Sequence, residues 1–229
     1  MSEQRFRLRI RYAKTGRLRY LSHLETMRCL ERSIRRADLP FLVTQGFSPH
    51  MRTSFGWALP VGVSSQCEYI DVLVGEFVEP ANVMEALAAA MPPDMPVKDA
   101  YYVDPAARAL EEEFPFSVYV CELAAAPGSA AEGDVLACAQ TALDAVLARG
   151  NMVVHRKKKD KVVEFDKLLV GTPELCASSA GACKMRLATF TEGKGSLRPD
   201  LFCAEVVAAS GGERSGRSIE RTLQSSERP

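Results

Sequence analysis

The sequence predicts an α+β fold, a ferredoxin-like β-α-β-β-α-β sandwich followed by a second, smaller, degenerate α+β unit. Three observations lead there. Residues 5–12 read R-F-R-L-R-I-R-Y, a strict two-residue alternation that is the period of a strand with one buried face. Behind an S-H-L-E start, the next segment carries apolar side chains at helical spacing. Extended, extended, helical and extended stretches then follow in that order, which completes the motif.

The strand at 5–12 puts Phe6, Leu8, Ile10 and Tyr12 on one face and Arg5, Arg7, Arg9 and Arg11 on the other. A turn at K-T-G (14–16) leads into a helix over about 23–37. Ser22 and Glu25 have the spacing of a capping box at its start. Leu24, Met27, Leu30 and Ile34 form its apolar side, while Arg28, Arg32, Arg35 and Arg36 share another face. Asp38 and Pro40 end it. Residues 41–43 are a short extended piece, and T-Q-G-F-S-P-H-M-R at 44–52 is turn-rich around Gly46 and Pro49. Residues 53–59 read as a strand closed by Pro60 and Gly62, and 68–74 as a clearer strand with Ile70, Val72 and Val74 on one side. Pro80 opens a helix at 81–91, and 97–103 is the last strand of this unit.

The domain reading is a ferredoxin-like basic domain at 1–104, an acidic connector at 105–113, a second α+β domain at 114–207 and a disordered tail at 208–229. The second domain holds a strand at 117–123, an Ala-rich helix at 132–148 ended by Gly150, a hairpin of 152–156 with 162–165 and a strand at 184–190. Residues 201–207 are helical or extended. The order resembles a degenerate β-α-β-β copy of the first domain. From Ser210 onward, periodicity and large apolar residues are lacking, the composition of a segment that cannot bury a core.

Charge is balanced in total, 29 against 29, but unevenly placed. Residues 1–60 carry 12 Lys/Arg against 4 Asp/Glu, residues 61–150 carry 3 against 15, and residues 151–229 carry 14 against 10. Such blocks point either to an anionic partner for the basic regions or to pairing of the two signs within the fold. The seven cysteines have no C-x-x-C spacing, which suggests reduced thiols in a cytoplasmic protein and no metal site. The basic N-terminus has no apolar stretch of a signal peptide. No run approaches a membrane span. Walker A, G-x-G-x-x-G, G-x-S-x-G and H-E-x-x-H patterns are missing, and no cofactor is implied.

A face of four guanidiniums must meet water, acidic neighbours or a polyanion. On the open face of a sandwich it would hold phosphates or stack on bases, unless Asp71 and other acids ladder with it. Arg5, Arg7, Arg9, Arg11 and Arg52, with Arg156, Lys157, Lys158, Lys159 and Lys161 at the hairpin tip, are therefore the candidate nucleic-acid contacts. Ser22, His23, Glu25, Gly46, Phe47, Ser48, Pro49, His50 and Glu68 are candidates for a shared pocket. Within it, His23, Glu25 and His50 are the candidate acid–base groups. His23 at a helix start is held toward its neutral form by the helix-end potential. The alternatives are that His23 is a capping-turn residue and His50 a loop residue.

The run K-T-G-R-L-R-Y-L-S-H-L-E, then R-R-A-D-L-P, then G-F-S-P-H-M-R-T-S-F-G-W-A-L-P-V-G-V-S-S-Q-C-E-Y-I-D resembles a bacterial domain family of unknown function, the radical-SAM-associated proteins. The resemblance covers about residues 5–207. At 154–166, V-H-R-K-K-K-D-K-V-V-E-F-D is similar to the family's second half, but Lys167 and Leu168 stand where the family usually has Arg-Pro. The resemblance implies a partner, a radical SAM protein of the cobalamin-binding type. This chain lacks the C-x-x-x-C-x-x-C that would hold the cluster itself.

Three functions follow as expectations. The first is an accessory protein that binds RNA and serves RNA modification or processing beside a radical SAM enzyme. The second is a metal-independent endoribonuclease-like enzyme using His23 and His50. The third is a protein–protein scaffold, in which the arginine face is covered by the acidic middle of the chain or by the partner.

Overall fold

The alternation at residues 5–12 becomes the strand β1 (Phe6–Lys14), whose Leu8, Ile10 and Tyr12 are almost fully buried. A computed structural model describes residues 5–125, 135–155, 160–179, 181–191, 193, 196–211 and 214–229. It is mixed α+β, and every strand pairing described within its units is antiparallel. The chain divides into two units, Met1–Phe114 and Pro115–Pro229.

In the first unit, β1 is followed by a short 3-10 helix (Gly16–Tyr20) and α1 (His23–Arg36). Ser22 caps α1 as a full capping box. Its side chain accepts from the Glu25 N–H, and the Glu25 carboxylate accepts from the Ser22 N–H at 2.8 Å. Asp38 just past the helix takes a positive φ of 52°, a conformation Asp tolerates because its side chain bonds locally. Then come β2 (Thr53–Phe55), β3 (Ser64–Val74), α2 (Pro80–Ala90) and β4 (Val97–Val103). The strands lie in the order β4-β1-β3, with β2 on the outer side of β3. β2 is shorter than the predicted 53–59 because Gly56 and the stretch up to Pro60 leave the ladder, and β3 begins four residues earlier than predicted. Leu8, Ile10, Ile70, Val72 and Val74 from the sheet meet Leu30 and Ile34 of α1 and Val83 and Leu87 of α2 in one core.

The expected connector is not a linker. Residues 105–114 belong to the first unit and contain a short helix, α3 (Leu110–Glu113), whose Leu110 is fully buried.

The second unit holds β5 (Phe116–Ala125), α4 (Val135–Ala148), the β6 (Asn151–Val154) and β7 (Lys161–Glu164) hairpin, α5 (Phe165–Leu168), β8 (Glu174–Ser179), β9 (Ala182–Phe190), α6 (Pro199–Ala209) and β10 (Arg214–Ser225). Its main sheet runs β10-β5-β9-β8. With the β6–β7 hairpin set aside as an insertion, this repeats the element and strand order of the first unit. Leu143, Val146, Met185, Leu187, Phe202 and Val206 are buried in its core, and the Phe165 and Phe202 rings meet edge to face at 5.4 Å.

One open alternative is decided here, and one expectation fails. Residues 201–207 lie inside α6, which Pro199 opens. The supposed disordered tail is β10, in register with β5 from Arg214 opposite Ala125 to Ser225 opposite Phe116. A ladder needs backbone groups, not a hydrophobic stripe. Ile219 and Leu223 are its only large apolar side chains. Arg221 is buried and donates from Nε at 3.0 Å and Nη2 at 2.8 Å to the Tyr119 hydroxyl across on β5.

Candidate functional site

The arginine face of β1 is largely taken up by the chain itself. Asp71 of β3 stands directly opposite Arg9 in register. Its two oxygens accept from Arg9 Nε at 2.8 Å and Nη2 at 3.1 Å, and one of them also accepts from Arg7 Nε at 2.7 Å. Residues 107–114 fold over the same face. The carbonyls of Ala107 and Arg108 accept from Arg7 at 2.6 and 3.0 Å, and Glu113 accepts from Arg9 Nη1 at 2.5 Å. Phe114 stacks on Tyr69 at 4.5 Å and lies under the Arg9 guanidinium. Arg9 is fully buried as a result. Burial opposes its charge, but the bonds and charges of Asp71 and Glu113 more than offset that, so its pKa is raised. Arg11 bonds Tyr69, whose phenol is pushed up first by burial. Arg9 is thereby withdrawn from solvent, while Arg7, bonded to Asp71 and two carbonyls, still borders a cleft. One carboxylate has enough lone pairs for two guanidiniums, and the returning segment supplies the remaining acceptors.

The S-H-L-E motif borders a small polar cavity of about 20 Å³, the room of one water molecule. Tyr12, Lys14, His23, Thr26, Phe55, Trp57, Glu68 and Tyr69 line it. Lys14 and Glu68 are buried, and the Lys14 ammonium donates to the Leu21 carbonyl at 2.7 Å. The His23 ring meets Phe55 edge-on at 5.5 Å. Ser22 and Glu25 spend their side chains on each other, and those contacts hold the Glu25 carboxyl below its usual range. Lys14, Tyr12 and Trp57 were not anticipated in this pocket. The alternation could have placed Tyr12 but not Lys14, whose strand extends two residues beyond the predicted end.

Gly46, Phe47, Ser48, Pro49 and His50 do not join that cavity. They form an exposed loop on a neck closed by a Val43–Met51 bridge and by the Thr44 N–H bond to the His50 carbonyl at 2.8 Å. His50 precedes Phe55 by five residues of largely extended chain, on the order of 16 Å. His23 packs on Phe55, so His23 and His50 lie at opposite ends of this stretch and cannot act as one acid–base pair. Beside the loop neck, Arg5, Leu42, Val43, Thr44, Gln45 and Arg52 line a cleft of about 470 Å³. A second cleft of about 360 Å³ includes Thr44, Arg52, Thr53 and Ser54. Arg156, Lys157, Lys158 and Lys159 lie outside the described residues, and Lys161 begins β7. Helix α1 presents Arg28, Arg32, Arg35 and Arg36 as exposed side chains. Arg35 lies over the Phe41 ring and Arg36 donates to the Ala90 carbonyl at 3.4 Å.

A two-unit α+β chain with an exposed arginine helix and a self-neutralised arginine strand is the class that these features define. The chain belongs to the family described as "Uncharacterized protein conserved in bacteria (DUF2344)", which it matches over residues 7–199. No curated protein matches it. Among solved structures, it is similar to a chain of a Cbf5-Nop10-Gar1 complex at 12% identity and a TM-score of 0.46, covering 95% of this chain and 48% of that one. It is similar to a chain of an H/ACA RNP bound to a substrate RNA containing 2'-deoxyuridine at 11% identity and a TM-score of 0.44, covering 95% and 47%. An unknown protein from Galdieria sulphuraria matches at 15% identity and a TM-score of 0.27, covering 96% and 100%. The chain thus spans about half the length of the first two structures. Among the described residues, no helix is long and apolar enough to cross a membrane.

Proposed function

We propose that this protein is an RNA-binding accessory protein that works beside a radical SAM enzyme of the cobalamin-binding type. The observation that carries the RNA part is the α1 surface. Arg28, Arg32, Arg35 and Arg36 are exposed, and among the described residues none of them meets a carboxylate at ion-pair distance. Four exposed guanidiniums on one helix, of which Arg28 also lies in the field of the Glu25 carboxylate, form a footprint suited to phosphates. The partner part rests on the S-H-L-E and G-F-S-P-H resemblance. The scaffold is a ferredoxin-like sandwich, a reading supported by the β1-α1-β2-β3-α2-β4 order and the β4-β1-β3-β2 arrangement.

The test is a mobility shift of the full chain with bulk RNA across a salt series. Binding at low ionic strength that weakens as salt rises is expected, with a flatter salt dependence for Arg28→Gln/Arg32→Gln. An absence of binding at low ionic strength overturns the reading.

One observation favours a second reading, a scaffold for the partner without RNA. Arg7 and Arg9 of β1 are engaged by Asp71, Glu113 and two carbonyls, as that reading expects. Capture of the radical SAM protein by the full chain after nuclease treatment, with no RNA shift, selects it.

A further inference from the structure

Phe47 stands at the tip of the 44–50 loop and is fully exposed, at 107% of its reference surface. A side chain of this size gains about 1.5–3 kcal/mol when buried. It is nevertheless held out, because the loop is fastened at its base and not collapsed. Besides the neck bond described above, the His50 N–H bonds the Thr44 hydroxyl at 3.0 Å. Gly46, directly before Phe47, has a φ of +127°, a value that side-chain-bearing residues avoid. Gly46, Ser48 and Pro49 offer no bulky neighbour to cover the ring.

Arg52 emerges just past the neck. Its backbone is pinned on both sides: its N–H bonds the Leu42 carbonyl at 2.8 Å, and its carbonyl accepts from the Leu73 N–H at 3.0 Å. Its side chain borders both clefts, one with Arg5 and Thr44 and the other with Thr53 and Ser54. Asp71 also borders the second cleft, but its oxygens are already bonded to Arg7 and Arg9. Arg52 makes no ion pair among the described residues. An exposed ring on the loop tip and, just past the loop neck, a guanidinium bordering two clefts supply the two elements that bind single strands, a stacking platform and a phosphate holder.

We infer that the 44–50 loop and Arg52 form a single-stranded RNA subsite, with an unpaired base stacked on Phe47 and a backbone phosphate held by Arg52 and Ser54. The inference rests on the RNA-binding reading and names the place where the strand is read. It predicts a preference for single strands, since a duplex hides the faces of its bases.

The test measures binding of the full chain to a short single-stranded RNA and to its duplex, for the wild type and for Phe47→Ala, Phe47→Trp and Arg52→Gln. Phe47 is wholly exposed, so its variants leave the core intact. Phe47→Ala is expected to weaken single-strand binding about 5- to 150-fold, the value of one stacked base, with the salt slope unchanged. Arg52→Gln is expected to lower that slope by about 0.7, one phosphate contact on a single strand. Phe47→Trp is expected to retain affinity, with its fluorescence quenched by the RNA. If all variants bind RNA like the wild type, the subsite is overturned while the RNA reading stands. If the wild type binds no RNA, both fall. If Phe47→Ala keeps RNA affinity but loses capture of the radical SAM protein, the loop docks a protein and the subsite is overturned.

Discussion

Arg9 and Asp71 face each other across β1 and β3 as a two-bond fork, Nε to Oδ1 at 2.8 Å and Nη2 to Oδ2 at 3.1 Å, with both side chains buried. Removing one partner strands the other charge out of water. Arg9→Ala is therefore expected to cost about 3–5 kcal/mol, and Arg9→Lys a substantial part of that, because an ammonium cannot reproduce the fork. Arg9→Met with Asp71→Leu should recover stability over Arg9→Ala, although Arg7 then loses an acceptor. Urea denaturation of the four proteins checks this, and an Arg9→Ala variant within 1 kcal/mol of the wild type, roughly the scale of an exposed ion pair, would contradict it.

Glu25 ties the α1 start to pH. Its hydrogen bonds from the Ser22 hydroxyl and N–H lower its pKa below the ordinary 4.5. The unfolded chain then takes up its proton first as pH falls, so the capping contribution is complete above about 4.5 and is lost as pH drops through the folded value. Ser22→Ala should cost about 1 kcal/mol at neutral pH and should shrink the acid sensitivity of α1. Amide exchange of the first α1 turn in wild type and variant, at neutral and at acid pH, reads both effects.

At the alkaline end the sign reverses. Tyr69 and Tyr101 have pKa values raised above 10.0, in each case chiefly by burial. Their contribution is complete below about pH 10 and is lost as pH climbs through the folded values, because the unfolded phenols ionise first. The denaturation midpoint should fall at high pH, less steeply in Tyr69→Phe/Tyr101→Phe. An identical alkaline slope in that variant would count against the assignment.

Gly16 takes a positive φ of 48°, and a Cβ built on it would lie 2.3 Å from Asp94 Oδ2. That carboxylate accepts from the Arg17 N–H at 3.0 Å, so moving it aside loses a bond that fixes the turn after β1. Gly16→Ala should destabilise by about 1–2 kcal/mol from the backbone conformation alone, with the lost contact added. A thermal melt checks this, and an unchanged midpoint would mean that the turn relaxes freely.

The sequence signals that proved dependable were local. The alternation of Leu8, Ile10 and Tyr12, the Ser22/Glu25 box and Pro80 at a helix start each involve neighbours in the chain. What sequence reading missed was long-range. Nothing near Arg9 announces that Glu113, about a hundred residues on, returns to meet it. Arg221 and Gln224 on β10 look like residues of a solvated tail until β5 supplies backbone partners. The candidate pocket split for the same reason. S-H-L-E and G-F-S-P-H are joined by the sequence between them, yet β2 carries them to opposite ends of one extended stretch.

The late arrival of β10 has a consequence during synthesis. β5 is complete at Ala125 and its partner β10 only at Ser225, so at ribosomal speeds of about 5–20 residues per second that flank of β5 waits on the order of 5–20 s. The first unit, finished by Phe114, can fold within that interval. The second passes through a stage with an unsatisfied strand edge, the kind of surface through which nascent chains associate wrongly. Nascent chains stalled shortly before β10 should therefore be the ones that ribosome-associated chaperones bind most strongly, and those stalled in a long linker appended after Pro229, with β10 outside the ribosome, should be released.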